Sequence, residues 1–386
     1  MPEETSTQAP ARRGRFCAAS TAIEPKAIEE DLSRLYGLGE FSRAYYTVDT
    51  DEDGKTLLTY VARSRRWEED GTLKFGIFLQ DDFEGHGDYQ IGARYGKREL
   101  NRFGGDLVLE ARLGDRNRAF AQWNQPLDMH RYSFVRPSLE WNGENETLID
   151  DDNDIGDYRY SHWETRAALG LNLRDWGEIA ITPFLRRNHF DLRSQPLSSG
   201  IPRTSTSVGV EAELTLDTQD DAEFPGHGWF LQARHTRYLS MIGADTRGFT
   251  SRAKASYAFT AWGGRWQFGA QAQDHRGNAY EDVAQLGGPF RLSGYGIDTL
   301  HGTGSALGTL QFNYPLAQLL QYPLFVGGSL EAGQLWRRGQ ASSFERTIFG
   351  GSVYTALDTP LGPIYFGLGL AENGQEAVFL RLGQPY

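Results

Sequence analysis

From Leu73 onward, apolar and polar residues alternate along the chain with a period of two. In the first such segment one set of alternate positions is wholly apolar: Leu73, Phe75, Ile77 and Leu79. The same alternation returns in "DLVLEARL", "SVGVEAELTLD", "SRAKASYAF" and "IYFGLGL". In each segment one face carries no charge, while the other carries glycine and charged residues. A period of two predicts β-strands with two different faces.

Sixteen segments of this kind follow one another. They lie near 73–81, 88–98, 105–113, 117–125, 132–142, 158–173, 177–187, 204–217, 228–238, 249–260, 264–274, 304–314, 323–336, 347–357, 363–371 and 377–386. Most match the ~9–11 residues that a tilted membrane strand needs, and single-chain outer-membrane barrels have an even number of strands. Short turns such as "RDWG" and "WGG" alternate with longer polar loops, predicted at 143–157, 188–203 and 275–303. The fold class is therefore all-β, with a 16-stranded transmembrane antiparallel barrel over 72–386.

A soluble sandwich or a soluble barrel also alternates with a period of two. Such proteins fill their interior with large aliphatic residues and place charge outside. Here the charged parity is crowded with glycine, which suits a wet lumen, and the other parity avoids charge. An Arg or Lys facing lipid costs ~2–4 kcal/mol at the middle of the membrane, so the pattern favours a membrane barrel.

The segment before the barrel has a different pattern. Residues 1–24 are predicted to be disordered. In 25–39, "PKAIEEDLSRLYGLG", the apolar residues fall at helical spacing, and glycines end the helix. The β-rich runs "SRAYYTV" and "KTLLTYVARS" then flank the acidic turn "DTDEDG". Residues 25–66 therefore form a small α+β unit, one helix on a hairpin.

Composition excludes several functions. The net charge of -12 argues against nucleic acid as a partner, since its phosphates would be repelled. Cys17 is the single cysteine, so a disulfide within the chain is excluded. No stretch approaches the ~18 apolar residues of a membrane helix. The N-terminus lacks a signal-peptide pattern; either export is not needed, or Met1 is not the true start.

The longest connection contains "LGGPFRLSGYG", residues 286–296, whose four glycines and proline exclude a regular strand. A backbone outside any ladder needs other partners for its N–H and C=O groups, and a polar lumen supplies them. Here the chain resembles the outer-membrane translocation and assembly barrels that include the BamA-type insertases and two-partner secretion transporters, often called bacterial surface antigens. Their inward-folded loop ends in Val-Arg-Gly-Phe/Tyr, matched here by Leu292, Ser293, Gly294 and Tyr295, with Arg291 just before the match. Ser293 stands where that family has arginine.

Within this superfamily the chain looks closest to the barrels of patatin-like phospholipase autotransporters. The similar segments are "LGGPFRLSGY", "LKFGIFLQDDFEG", "RELNRFGGD", "NQPLD", "RPSLEW" and "FLRLGQPY". The likeness covers about 25–386. It implies that a lipase domain, if there is one, is not in this sequence.

Three further features resemble the superfamily. In "FVGGSLEAGQLW", Glu331 precedes Gly333 by two residues and faces the lumen by parity, which suggests that Arg291 pairs with Glu331; both side chains could instead be solvated lumen charges. "LDTQDDAEFPGHGWF" resembles an aspartate-rich periplasmic turn, in which turn capping by aspartates is favoured over a metal site. Its residues are Asp217, Asp221, Pro225 and Gly228. The C-terminal run resembles the signal read by the barrel-assembly machinery, through Leu380, Leu382 and Tyr386.

The helix and hairpin of 25–66 resemble part of a POTRA domain, the module that docks extended polypeptides. The resemblance implies an outer-membrane protein with periplasmic N- and C-termini that moves or inserts a polypeptide. Its expected partners are membrane lipid, the assembly machinery and an extended client. The alternative is a passive pore or a structural outer-membrane protein without a client.

The motifs that would indicate a calcium site, a zinc site or a hydrolase are incomplete. "DTDEDG" begins like a calcium loop, but Tyr60 stands at the twelfth position and no second helix follows. The eight histidines have no zinc spacing, and "GTGSALG" has Thr303 where a hydrolase elbow needs glycine. We therefore expect no enzyme, no metal and no cofactor.

Overall fold

The structure is a computed structural model. It describes residues 41–50, 56–64, 71–82, 87–101, 103–150, 153–174, 176–192, 203–241, 243–279, 282–337, 346–359 and 362–383. The chain divides into two compact units, Met1–Thr72 and Leu73–Tyr386. Among the described residues, no helix is long and apolar enough to cross a membrane.

β-Strands lie in the described parts of both units. They are β1 (Phe41–Thr50), β2 (Thr56–Ser64), β3 (Thr72–Asp81), β4 (Gly87–Lys97), β5 (Asp106–Gly114), β6 (Arg116–Pro126), β7 (Ser133–Asp150), β8 (Asn153–Asn172), β9 (Gly177–Leu192), β10 (Thr204–Asp217), β11 (Gly228–Tyr238), β12 (Gly248–Ala261), β13 (Gly264–Gly277), β14 (Ala284–Leu286), β15 (Leu300–Gly302), β16 (Gly304–Leu319), β17 (Tyr322–Trp336), β18 (Ile348–Leu357), β19 (Ile364–Ala371) and β20 (Glu376–Leu382).

The second unit is a closed barrel. Strands β3 to β13 and β16 to β20 pair with their neighbours in chain order, and β20 pairs with β3 to close the ring. The short strands β14 and β15 pair with each other and stay outside the barrel sheet. The predicted 16-stranded antiparallel barrel is thus confirmed.

In the first unit, β1 and β2 form an antiparallel hairpin whose register runs from Phe41↔Ser64 to Thr50↔Thr56. This hairpin lies where the alternating runs predict one. The predicted disordered segment 1–24 and helix 25–39 lie outside the described residues, so the POTRA-like unit stays a prediction.

One predicted loop is wrong. Residues 143–157 were expected to form an open connection, but β7 and β8 pair through this region, from Gly143↔Ser161 to Asp150↔Asn153. Where a hairpin projects out of a membrane, neither of its faces has to be apolar. The backbone hydrogen bonds between its two strands nevertheless continue. The hydropathy pattern therefore fades before the strands end.

The two faces of the wall differ as the alternation predicts. Along β3 the outward side chains are exposed and apolar, while Phe78 and Gln80 point inward and are buried. The outward apolar face continues around the barrel, with side chains such as Leu113, Leu169, Ile181, Phe268, Leu330, Val353 and Phe366. So large an exposed apolar surface suits contact with hydrocarbon.

The lumen, defined as the barrel interior, contains linked ion pairs. Arg118 bridges Glu110 at 2.9 Å and Glu140 at 2.8 Å. Further round the wall, Glu164 binds Arg166 at 2.9 Å and Arg186 at 2.5 Å. These pairs satisfy inward charges that would otherwise be costly inside the barrel.

The two rims of the barrel carry different connections. The start of β3 and the end of β20 lie at one rim, because Ile77 pairs with Leu382. The short turns 173–176 and 262–263 lie at the same rim, which we call the turn rim. The connection 278–303 leaves the opposite rim, called the loop rim.

Candidate functional site

The described part of the connection 278–303 folds into the lumen instead of away from the barrel. We call residues 287–299, between β14 and β15, the lumen loop. Its tip contains Phe290 with φ 64° and Leu292 with φ 76°, left-handed conformations that bulky residues avoid. Leu292 is fully buried. Tight packing against the wall therefore holds a locally unfavourable backbone.

Glu331 on β17 holds the loop tip. Its Oε2 accepts hydrogen bonds from the backbone N–H groups of Leu292 at 2.6 Å and Ser293 at 2.7 Å. Its Oε1 accepts from the hydroxyls of Ser293 at 2.6 Å and Ser329 at 2.5 Å. The carboxylate is 3% exposed. Glu331 is thus the partner of the loop, through neutral donors.

The predicted pair between Arg291 and Glu331 is wrong. Arg291 instead binds Asp298 within the loop at 2.9 Å and the carbonyl of Gln285 at 2.6 Å. An ionised carboxylate has about four acceptor positions. Two amides and two hydroxyls already fill these positions on Glu331, so no acceptor position remains for the guanidinium.

Asp298 connects the loop to another part of the wall. Its Oδ2 lies 2.5 Å from Nη1 of Arg116 at the start of β6, and its Oδ1 binds Arg291. Burial opposes ionisation of Asp298, but the Arg116 and Arg291 guanidiniums hold the pKa of its carboxyl below the usual range. Arg291 therefore stabilises the loop through an ion pair within the loop itself.

A second carboxylate, which no sequence motif indicates, anchors the base of the same connection. Asp282 is 4% exposed and accepts a hydrogen bond from Thr250 at 2.9 Å and another from Tyr238. Arg252 lies 3.2 Å away and Arg186 lies 3.5 Å away. Burial disfavours the charge, yet the two arginines keep the pKa of Asp282 below its usual range. The only sequence signal was an acidic residue in a loop expected to fold into a polar lumen.

Glycines in the wall make room for the loop. A Cβ at Gly369 on β19 would lie 1.8 Å from the carbonyl oxygen of Ser293, and one at Gly294 would lie 2.4 Å from the backbone N of Ala371. Gly333 faces the same tip, since a Cβ there would meet Leu292 at 2.9 Å. Loop and wall approach each other at backbone distance here.

The loop also lies across the closing seam, the pairing of β3 with β20. Within the described residues this pairing comprises five residue pairs, from Val378↔Asp81 to Leu382↔Ile77. On one side, Gln80 of β3 donates to the carbonyl of Tyr295 at 2.9 Å. On the other, Phe290 packs on Phe379 of β20 with ring centroids 5.9 Å apart. One loop thus contacts both edges of the seam.

The aspartate-rich turn, 218–227, lies at the turn rim between β10 and β11. Asp217 accepts the N–H of Gln219 at 2.9 Å, and Asp221 accepts the N–H of Glu223 at 2.8 Å. Gly228 has φ 104°, and a Cβ there would lie 2.3 Å from the carbonyl oxygen of Thr218. The buried Pro225 follows Phe224, which the sequence analysis did not single out.

Phe224 inserts from this turn into the lumen. It is 1% exposed and stacks on Phe325 with centroids 4.5 Å apart and on Tyr365 at 5.6 Å. Phe290 from the lumen loop reaches the same rings, 5.7 Å from Tyr365. We call this group the aromatic plug; its members are Phe224, Phe290, Phe325, Tyr354, Tyr365 and Phe379. The turn and the loop thus meet inside the barrel.

The proposed assembly signal is only partly visible. Leu380 is 36% exposed on the outward face of β20, and Leu382 ends that strand. Tyr386 lies outside the described residues. The signal therefore stays a prediction.

No protein-family model matches this chain, and no curated protein sequence matches it. Solved structures do resemble it. BamA from Haemophilus ducreyi lacking POTRA domains 1–3 is 11% identical, with a TM-score of 0.65 over 92% of this chain and 77% of that chain. The chain has a BamA-type barrel fold.

Two other solved structures share this fold. CdiB from Acinetobacter baumannii is 10% identical, with a TM-score of 0.59 over 95% of this chain and 69% of that chain. CdiB from Escherichia coli is 16% identical, with a TM-score of 0.62 over 93% of this chain and 70% of that chain. At these identities the likeness concerns the fold alone.

Proposed function

We propose that this chain is an outer-membrane barrel of the bacterial surface antigen type that moves or inserts polypeptides. The observation that carries the proposal is the lumen loop held across the closing seam, bound to Gln80 on one edge and packed on Phe379 on the other. Because the lumen loop contacts both edges, its position can control whether the seam opens.

The seam contains backbone groups that could bind a client. Separating β20 from β3 exposes two rows of backbone N–H and C=O groups, which an extended client can pair with as an added strand. The five described pairs leave a short ladder to break. By comparison, β16 and β17 pair along most of their length, from Gly304↔Trp336 to Leu319↔Tyr322.

The filled lumen favours this function over a passive pore. The loop enters from one rim and Phe224 from the other, and both end in the aromatic plug. A permanent pore needs an open polar path, whereas here bulky buried rings meet inside the barrel.

The same proposal includes the orientation of the barrel, its docking unit and its assembly signal. The turn rim faces the periplasm, so that the barrel begins and ends there. The hairpin β1–β2 is part of a POTRA-like docking unit, and the C-terminal strand is read by the barrel-assembly machinery. Sequence segments such as "LGGPFRLSGY" support a translocator of the patatin autotransporter type. No enzymatic step is involved.

A disulfide across the seam tests the proposal. Leu79 and Leu380 are paired residues on the outward face, so Leu79→Cys with Leu380→Cys, in a Cys17→Ser background, can lock the two strands. The matched control is Val353→Cys with Leu368→Cys, an outward pair on adjacent strands away from the seam.

The variants are reconstituted in liposomes with a urea-unfolded outer-membrane barrel protein as client, and insertion is followed by the heat-shifted band. We expect oxidation to stop insertion for the seam pair, reductant to restore it, and the control pair to remain active. Equal insertion with a locked seam would refute the proposal. A steady conductance that is the same with the seam disulfide oxidised or reduced would instead identify a passive pore.

A further inference from the structure

A polar chamber lies in the lumen between the lumen loop and the aspartate-rich turn. Its volume is about 290 Å³, several times the ~30 Å³ share of one liquid water. Glu223 of the turn and Phe290 of the loop bound it. The wall contributes Lys254, Gln267, Gln311 and Arg381.

Within the described part of the chain, the charge on Lys254 has no opposite partner. Among the described residues no carboxylate forms an ion pair with it, and the ring of Phe230 lies 6.0 Å from its Nζ. The charges that act on Lys254 most strongly are those of Arg291 and Arg381, both positive. The inward arginines Arg118, Arg186 and Arg291 each have a carboxylate within 4 Å, so Lys254 differs from these cations.

The second cation of the chamber is only loosely neutralised. Arg381 lies 3.8 Å from Glu223, and its guanidinium sits 5.4 Å from the centroid of Tyr365. Arg291 is neutralised by Asp298. The chamber itself thus has two cations against one carboxylate. Gln267 and Gln311, which are paired in register on β13 and β16, add amide donors to its wall.

We propose that this chamber is an anion site, in which Lys254 and Arg381 bind a carboxylate or phosphate group. Two cations facing one polar cavity recognise such oxyanions through charge-assisted hydrogen bonds. The ligand is either a free inorganic anion or the acidic side chain of a peptide; both supply the same oxygens. The site does not depend on the transport function proposed above.

The test uses the purified barrel in detergent. Inorganic phosphate and the peptide triglutamate are titrated by calorimetry at ionic strength matched with sodium chloride, and loss of the heat-shifted band gives thermal stability. Lys254→Met removes the charge and Lys254→Gln keeps a polar side chain. The matched control is Lys97→Met, at the end of β4 and outside the chamber lining.

We expect wild type and Lys97→Met to bind one or both probes and to be stabilised by them, and both Lys254 variants to bind at least tenfold more weakly. Without anion, the Lys254 variants should be as stable as wild type or more so, since Lys254 faces like charges. Binding of phosphate alone indicates a free anion; stronger binding of triglutamate indicates a peptide side chain. Wild type that responds to neither probe, or Lys254 variants that respond like wild type, would overturn the proposal.

Discussion

At the residue scale, a serine replaces the arginine that the resemblance led us to expect, and the wall carboxylate changes its partners. Glu331 binds two amides and two hydroxyls in place of a guanidinium. Hydrogen bonds to a charged group contribute ~1.5–3 kcal/mol each, and leaving such a group unsatisfied costs more. A buried carboxylate with neutral donors holds the loop by geometry, with little long-range attraction.

Ser293→Ala should loosen the loop tip. It removes one donor from a buried carboxylate and should cost about 1–3 kcal/mol. Glu331→Gln should cost more, because its NH₂ group would face donors where the carboxylate accepts. The rate at which protease cuts 287–299 measures both effects. Ser138→Ala, on the lumen face of β7, is the control; equal cutting rates for all variants would contradict the assignment.

Acid should release the Asp298 contact. The pKa of Asp298 is depressed in the folded barrel, so its contribution to loop attachment is complete above the ordinary value of 3.8 and is lost as pH falls through the lower folded value. Protease cutting of the loop should therefore rise at the acid end. In the Asp298→Asn variant, protease should cut the loop faster than in wild type at neutral pH. The cutting rate of this variant should rise less on acidification. A variant with the same pH profile as wild type would exclude Asp298 as the titrating group.

At the scale of elements, contact between the loop and the wall depends on β19 having glycine where the loop backbone crosses it. The Ser293 carbonyl oxygen occupies the volume that a Cβ at Gly369 would need, and neither atom can move unless its backbone moves. Neither partner can give way by a rotamer change. The packing of two elements thus rests on one missing methyl group.

Gly369→Ala should therefore displace the loop. We expect faster protease cutting at 287–299 and a lower temperature for loss of the heat-shifted band. Gly96→Ala is the control, because a Cβ there meets nothing within 4 Å. If the two variants behave alike, the loop does not lie against β19 as described.

Part of this element structure could be read from the sequence and part could not. The barrel and its strand number follow from residues such as Leu73 and Phe75, whose alternation is local information. The inward loop followed from glycines that exclude a strand. The partner of Arg291 did not follow, because it depends on how the acceptor positions of Glu331 are filled, three by loop donors and one by Ser329 of its own strand. Phe224 was missed since one aromatic residue in a polar turn has no periodicity.

At the scale of the whole molecule, the barrel is closed from both rims by segments that share one set of rings. Phe224 comes from the turn rim and Phe290 from the loop rim, and both contact Tyr365. Residues that share partners do not act independently. The two closures are therefore coupled through the rings of β17 to β20, the last four strands of the barrel.

A double-mutant cycle on Phe224 and Phe290 tests this coupling. Truncating a buried phenylalanine to alanine costs ~3–5 kcal/mol. Phe224→Ala should lower thermal stability by about this amount, and Phe290→Ala by less, because Phe290 is only partly buried. Because each change removes packing from the same rings, the double variant should differ from the sum of the singles by about 0.5–3 kcal/mol. Single-channel conductance in planar bilayers should be low and flickering in wild type and highest in the double variant. Phe103→Ala, an exposed ring at the turn rim, is the control. Strictly additive stabilities, with each single variant already fully conducting, would mean that the loop and the turn close the barrel separately.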